Sequence, residues 1–175
     1  MISLIKNADV RVIGICGMQG VGKTALAKAI ASKCEGSEIL PLAEPLKRLA
    51  KEYFGWDGVK DARGRALLQH LGTDTGRAFD PDIWVRKWER SASASLFTGT
   101  TLILVDDVRF QNEVDAIRKM DGVIVKLASD QRGNFIDHAS ERQDLSFDLG
   151  VKVGFGETPE STADVVLHLI QEIKK

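Results

Sequence analysis

Gly17-Met-Gln-Gly-Val-Gly-Lys-Thr24 is the stretch that decides the fold, because it matches the pattern G-x-x-x-x-G-K-S/T at every fixed position. Glycines let the backbone curl so that successive N–H groups point inward, where they can hold phosphate oxygens. The spacing predicts a site for ATP with Mg²⁺, in which Lys23 reaches the β- and γ-phosphates and the Thr24 hydroxyl ligates the metal. The predicted cofactor-binding residues are Gly17, Met18, Gln19, Gly20, Val21, Gly22, Lys23 and Thr24.

The segments on either side of this loop supply the context that the pattern requires. Val10–Gly17 is a nearly continuous apolar run rich in β-branched residues, which is typical of a strand covered on both faces. Lys23–Lys33 is alanine-rich with apolar residues at helical spacing, so a helix is expected to begin where the loop ends. A strand, a glycine loop and a helix N-terminus in this order favour phosphate binding over a chance match.

Strands and helices alternate along the rest of the chain. Strands are predicted at Glu38–Ala43, Thr100–Val105, Gly122–Ala128 and Phe147–Val153. Helices are predicted at Leu46–Phe54, Arg63–Gly72, Asp82–Phe97, Asn112–Met120 and Pro159–Lys174, with Asp80-Pro81 starting the third of these. The alternation predicts an α/β fold, in which helices cover both faces of one parallel sheet in a three-layer α/β/α domain spanning residues 1–175.

Composition narrows the function classes. The formal net charge of -1, with acids and bases interspersed, does not suit a dedicated nucleic-acid binder. Two cysteines are too few for a disulfide framework, and they are expected to be reduced thiols. Met1–Val10 lacks the apolar core of a signal peptide, and no run is long enough to cross a bilayer. We therefore expect a cytoplasmic protein that binds neither membrane nor nucleic acid.

An acidic pair follows the clearest buried strand. Thr100–Val105 ends in Asp106-Asp107, and a phosphate loop needs an acid on a neighbouring strand to hold its metal. Because successive strand residues face opposite sides of a sheet, only one of the two carboxylates should face the phosphates. The residue pattern leaves the choice open, and we assign the metal-side and catalytic role to Asp107.

Several classes of protein carry such a loop. A GTPase switch needs a guanine-reading N-K-x-D, which this sequence lacks. Motor and assembly ATPases usually carry more sequence than 175 residues. A small-molecule kinase fits the length, because it needs only a triphosphate site, an acceptor site and a closing lid. A regulator whose nucleotide state controls a partner stays open as the non-enzyme alternative.

Four sequence blocks behind the loop resemble the bacteriophage and bacterial deoxynucleoside monophosphate kinases. They are Ala43-Glu-Pro-Leu-Lys47, Arg65-x-Leu-Leu-Gln-x-Leu-Gly-Thr73 continuing to Arg77, Asp107-Val-Arg-Phe-x-Asn-Glu113 and His138-Ala-Ser-Glu141. The resemblance spans roughly Gly14 to Asp148. Kinases of dephospho-coenzyme A and one group of phosphomevalonate kinases share parts of the pattern and remain alternatives.

The resemblance implies a nucleoside monophosphate kinase-like fold with a helical acceptor region at about 44–97 and a lid at about 129–146. It implies that a deoxynucleoside monophosphate is the partner of the site, and it is compatible with a homodimer. If the chain is phage-encoded, it would act in the host cytoplasm. The acceptor-side residues would be Glu44, Lys47, Arg65, Gln69, Arg77, Trp84, Glu113, His138 and Glu141, and the catalytic residues Lys23, Asp107, Arg109 and Arg132.

Two positions depart from the family pattern. The family often has Asp where this chain has Glu44, and that change keeps the carboxylate on a longer arm. It also often has Asp after the loop lysine, where Thr24 restores the ordinary magnesium ligand of a phosphate loop. Neither position predicts which base is accepted.

Overall fold

Strand β1, Val12–Cys16, forms the centre of the sheet and is buried at every residue. The computed structural model describes residues 10–129 and 145–173. An uninterrupted apolar strand needs cover on both faces, and helices provide it on each side. The predicted α/β fold with a parallel sheet and helices on both faces is confirmed.

Five strands alternate with the helices along the described residues. The strands are β1, β2 at Ser37–Ile39, β3 at Leu102–Val105, β4 at Gly122–Ser129 and β5 at Leu149–Val153. The helices are α1 at Lys23–Lys33, α2 at Glu44–Phe54, α3 at Ala62–Gln69, α4 at Ile83–Phe97, α5 at Gln111–Lys119 and α6 at Pro159–Ile173. A π-helical stretch, His70–Arg77, continues α3 and is called the π segment below.

The sheet has the order β2-β3-β1-β4-β5, and every neighbouring pair is parallel. The chain leaves β1 on one side to form β2 and β3, and then crosses to the other side to form β4 and β5. The direction of winding therefore changes at β1, and ligands of such sheets bind in the crevice at that point. The phosphate loop follows β1 and lies at this crevice.

Helices α1 and α6 cover one face of the sheet, where Leu26 and Ile30 join Val166 and Ile170 in a buried cluster. Helices α4 and α5 cover the other face with Val85, Trp88 and Ile117. These side chains keep the sheet away from water, which is the main favourable term in folding. The Trp88 indole N–H donates to the Leu40 carbonyl at 2.9 Å, so burial of this ring leaves no unpaired donor.

Helical structure extends past the end predicted at Gly72. The π segment carries it to Arg77, and close packing of two glycines explains why. A Cβ added at Gly76 would lie 2.9 Å from the Trp84 ring, and the Trp84 indole donates to the Gly72 carbonyl at 2.9 Å. Tertiary contacts thus override the helix-breaking tendency of glycine.

The predicted start of the next helix at Asp80-Pro81 is two residues early. Helix α4 begins at Ile83, and the Asp80 carboxylate accepts the Asp82 N–H at 3.1 Å and pairs with Arg86. Within the described part of the chain, no helix has the length and apolarity needed to cross a membrane. Of the predicted lid, the range 130–144 lies outside the described residues.

Candidate active site

The phosphate loop follows β1 directly, and its first residue packs against the backbone of the neighbouring strand β4. Gly17 has φ +141°, and a Cβ added there would lie only 2.2 Å from the Leu127 carbonyl oxygen. Gly22 precedes α1 with φ +100°, a left-handed conformation that glycine adopts without strain. The loop therefore needs glycine at both positions, and it leads directly into the N-terminus of α1.

Lys23 opens α1 and folds back over the loop. Its ammonium group donates to the Gly17 carbonyl at 2.7 Å and to the Met18 carbonyl at 2.8 Å. These contacts hold the charge at the mouth of the loop. A positive charge beside a helix N-terminus is a strong attraction for an anion such as phosphate.

Asp106 is the acid that faces the phosphate loop. The Thr24 hydroxyl donates to the Asp106 carboxylate at 2.5 Å, across a sequence separation of 82 residues. The pair offers adjacent oxygen donors, the ligand type that Mg²⁺ prefers, and Mg²⁺ sites commonly use one or two protein oxygens with water and substrate phosphates. The residues thus fit the implied metal, but the assignment of the loop-facing acid to Asp107 is wrong.

Asp107 points to the other side of β3, toward the start of α2. Its carboxylate accepts the N–H groups of Leu42 at 2.7 Å and Ala43 at 3.1 Å. Burial raises the pKa of Asp107, while the Ala43 and Leu42 N–H bonds and the nearby Lys47 oppose that rise. The carboxylate thereby fixes the turn that leads into α2, the helix that carries Glu44 and Lys47.

Arg77 and Glu113 were predicted to contact the acceptor, but the structure pairs them with each other. The Arg77 guanidinium donates to Glu113, whose side chain is 3% exposed. The second Glu113 oxygen accepts the N–H groups of Arg109 at 2.7 Å and Phe110 at 3.1 Å. Both Glu113 oxygens are therefore engaged within the protein, a structural role that the family resemblance did not imply.

Trp84 was predicted to lie beside the acceptor base, and the structure places it in the packing of α4 instead. It is 6% exposed, and its indole N–H is bonded to Gly72. Arg65 is exposed on α3 and donates to the Lys60 carbonyl at 2.9 Å, while Gln69 is exposed at the end of the same helix. Helix α3 packs on α2, which brings Arg65 and Gln69 onto the helical unit that also carries Lys47.

Arg109 follows β3 by four residues and has an exposed side chain. Its backbone N–H is fixed by Glu113, so the position of the residue in the loop is held while the guanidinium is available to solvent. Three predicted residues, Arg132, His138 and Glu141, lie outside the described residues.

Sequence reasoning missed two features of the site. Asp106 is the partner of Thr24, and the only sequence signal was its place in the acidic pair. Phe110 lies under the Arg77 guanidinium, 3.9 Å from the ring centroid, and its position in the quoted block gave no hint of that contact.

Solved structures show what class this architecture belongs to. An APS kinase from Mycobacterium tuberculosis matches with a TM-score of 0.50 and 14% identity over 93% of this chain and 97% of that one. The Deinococcus radiodurans tunicamycin resistance protein matches with a TM-score of 0.57 and 16% identity over 92% and 95%. At these identities the likeness shows the fold alone, and with the phosphate loop after β1 that fold is the one of the P-loop kinases.

The family follows from the sequence comparisons. The model of the family described as deoxynucleotide monophosphate kinase matches residues 59–150, just over half of the chain. An Acanthamoeba polyphaga mimivirus protein named "Putative deoxynucleotide monophosphate kinase" is 28% identical over 167 residues, covering 78% of this chain and 85% of that protein. The chain belongs to the deoxynucleotide monophosphate kinase family and is accordingly a transferase, which confirms the predicted resemblance.

Proposed function

We propose that the protein transfers the γ-phosphoryl group of ATP to the 5′-phosphate of a deoxynucleoside monophosphate, giving the diphosphate and ADP. The observation that carries this proposal is the divergence of two neighbouring acids. Asp106 contacts the phosphate loop through Thr24, while Asp107 holds the turn that leads into α2. The end of β3 would thus connect the proposed triphosphate site with the proposed acceptor site. A kinase needs these two sites next to each other.

ATP is proposed to lie with its phosphates in the loop Gly17–Thr24. Backbone N–H groups and the positive end of α1 would hold the β-phosphate, and Lys23 would move from the carbonyls of Gly17 and Met18 to the phosphate oxygens. Thr24 and Asp106 would hold Mg²⁺, which neutralises phosphate charge when bound. The Thr24–Asp106 hydrogen bond supports this arrangement because it already places both oxygens together.

The acceptor phosphate is proposed to meet Lys47 and Arg65, with Glu44 and Gln69 near the sugar and base. Lys47 is half-buried and close enough to Asp107 to affect its titration, so it lies at the strand end rather than in open solvent. Helices α2 and α3 contact each other and would carry these groups as one unit.

The reaction needs positioning more than proton chemistry. A phosphate monoester is largely a dianion near neutral pH, since its second pKa is about 6, so no dedicated base is required for attack. Two anions must be held in line, and charge on the transferring group must be stabilised. Arg109 suits that second task, because its backbone N–H is held by Glu113 in the loop after β3 and its side chain is exposed.

Other predictions rest on the family resemblance. Arg132, His138 and Glu141 are proposed to close over the phosphates, and they lie outside the described residues. A homodimer and a cytoplasmic location are likewise proposals. Light scattering of the purified protein, with and without ATP, would test the dimer.

The proposal is tested by incubating the protein with ATP·Mg²⁺ and each common deoxy- and ribonucleoside monophosphate, and measuring ADP. Dephospho-coenzyme A and phosphomevalonate form a parallel arm, and Lys23→Ala is the control for contaminating kinases. Turnover is expected with at least one deoxynucleotide and should fall to background in the variant. ADP formed only in the parallel arm would reject the proposed acceptor, and slow acceptor-independent hydrolysis would favour a regulator.

A further inference from the structure

Glu113 lies in the first turn of α5 and is nearly removed from solvent, with 3% of its side chain exposed. One carboxylate oxygen accepts two backbone N–H groups from the loop after β3, those of Arg109 and Phe110. The other accepts from the Arg77 guanidinium. This single side chain therefore touches both the loop that carries Arg109 and the last residue of the π segment.

Arg77 makes the matching contacts from the other side. Its guanidinium also donates to the Pro81 carbonyl at 3.2 Å and lies over the Phe110 ring, and its side chain is 15% exposed. Asn112 adds a second connection between the same two regions. Its side-chain amide donates to the Pro81 carbonyl at 3.1 Å and to the Asp82 carboxylate at 2.7 Å. The junction between the π segment and α4 is thus held to the start of α5 by two adjacent side chains.

A buried ion pair such as Arg77–Glu113 adds little to the free energy of unfolding compared with an apolar pair. Two charges lose their hydration, and an apolar pair of similar size often stabilises as well or better. A buried ion pair does fix the relative position of the two segments that carry it. Hydrogen bonds between a guanidinium and a carboxylate form only when the two groups are correctly oriented. The contacts of Glu113 also satisfy two backbone donors, which an apolar side chain would leave unpaired.

We infer that Arg77 and Glu113 form a positioning pair, which sets the acceptor-side helices at the correct distance and angle from the loop carrying Asp106, Asp107 and Arg109. The inference rests on the proposed function, since it concerns how the acceptor phosphate meets the γ-phosphate. On this inference neither residue contacts the substrates. Their effect passes through the backbone of Arg109 on one side and through the π segment on the other.

Two substitutions separate charge from packing. Glu113→Gln keeps an oxygen that can accept the N–H groups of Arg109 and Phe110, but it removes the charge that Arg77 needs. Arg77→Met keeps an apolar stem over the Phe110 ring and removes the guanidinium. Each should raise the KM for the acceptor and lower kcat, by about tenfold or more together in kcat/KM, because small misplacement of reacting groups is costly. The Kd for ATP should stay within about twofold, since the hydrogen bonds of the pair described above run to the loop after β3 and to Pro81 rather than to the phosphate loop.

The double variant and a conservative variant make the test specific. If the two side chains act as one unit, Arg77→Met with Glu113→Gln should be no worse than the more damaged single variant. Arg77→Lys keeps the charge and should recover part of the lost kcat/KM. A purely structural role predicts instead that kinetic constants follow stability alone.

Two matched controls remove general destabilisation as an explanation. Leu167→Ala, in the opposite helix layer on α6, should lower the Tm through a core cavity and leave acceptor KM and kcat unchanged well below that Tm. Lys33→Met removes the partly exposed ion pair with Asp164 between α1 and α6 and should change little. All variants are assayed well below their own Tm.

Hydrogen exchange supplies a readout that does not depend on which acceptor is used. Arg77→Met should speed amide exchange in 70–82 and also at Arg109 and Phe110, because the same carboxylate serves both regions. Faster exchange confined to 70–82, or wild-type acceptor KM and kcat in both variants, would overturn the inference. Failure of the wild-type protein to phosphorylate any deoxynucleotide would instead reject the proposed acceptor, and the exchange result would still decide whether the pair couples the two regions.

Discussion

Asp106 and Asp107 are consecutive residues whose carboxylates serve opposite sides of one strand end. Asp106 accepts the Thr24 hydroxyl at 2.5 Å, and Asp107 accepts the Leu42 N–H at 2.7 Å. The alternation of side chains along an extended strand makes this divergence possible with no intervening residue. Two adjacent residues therefore contact the phosphate loop on one side and the turn before α2 on the other.

Removing each acid should produce a different kinetic defect. Asp106→Ala should weaken the apparent Mg²⁺ affinity by about ten- to a hundredfold, because it takes away one oxygen of the Thr24 pair. Asp107→Ala should chiefly raise the acceptor KM, because the turn before α2 loses its anchor. Mg²⁺ titrations and acceptor titrations of both variants check this. The account is contradicted if the two variants show the same defect.

Asp107 also makes stability depend on pH in a defined direction. Burial raises its pKa in the folded protein above the usual value of 3.8. Such a group contributes stability that is fully present below the unfolded pKa and is lost as the pH rises through the folded pKa. The free energy of unfolding of the wild type, minus that of Asp107→Asn, should therefore shrink as the pH rises from the unfolded pKa through the raised pKa of the folded protein. Urea unfolding measures both, and a gap that widens with pH would contradict the sign.

Arg109→Ala should lower kcat by about a hundredfold or more, while the Tm changes by little. The reason is that its side chain is exposed and its structural contact to Glu113 uses the backbone N–H, which alanine retains. Lys119→Ala is the matched control, an exposed cation at the other end of α5. An early-melting Arg109→Ala protein whose folded fraction is fully active would show that the arginine is structural.

Gly17→Ala should damage both folding and ATP binding. The new methyl group would lie 2.2 Å from the Leu127 carbonyl oxygen, at a φ of +141° that alanine rarely adopts. We expect a loss of about 2 kcal/mol or more in the free energy of unfolding, and a weaker Kd for ATP. Gly154→Ala is the control, because its added Cβ would make only ordinary contacts near 3.6 Å with Glu157. Equal behaviour of the two variants would show that the loop is not held against β4.

Local patterns in the sequence were enough to predict a parallel sheet and a glycine loop between β1 and α1. The run at Val10–Gly17 is nearly all apolar, and Thr100–Val105 ends in four apolar residues. Such a run is typical of a strand that is buried on both faces. The loop residues lie within eight positions of one another, so their geometry is a local property.

The parts that could not be predicted depend on contacts between distant residues. The choice between Asp106 and Asp107 depends on how β3 ends relative to Thr24, 82 residues away from Asp106. The pairing of Arg77 with Glu113 joins residues 36 positions apart, whereas the family resemblance placed both on the acceptor side. The π segment forms because Gly72 and Gly76 pack on Trp84, which no local propensity encodes.

The central claim is most directly tested by following the γ-phosphate itself. The protein is incubated with ATP labelled in the γ-phosphoryl group, Mg²⁺ and the acceptor that gives the fastest ADP formation, and the products are separated. The account predicts that the label appears in a deoxynucleoside diphosphate and that Lys23→Ala loses this transfer. Label found only in inorganic phosphate, with the monophosphate recovered unchanged, would contradict the account.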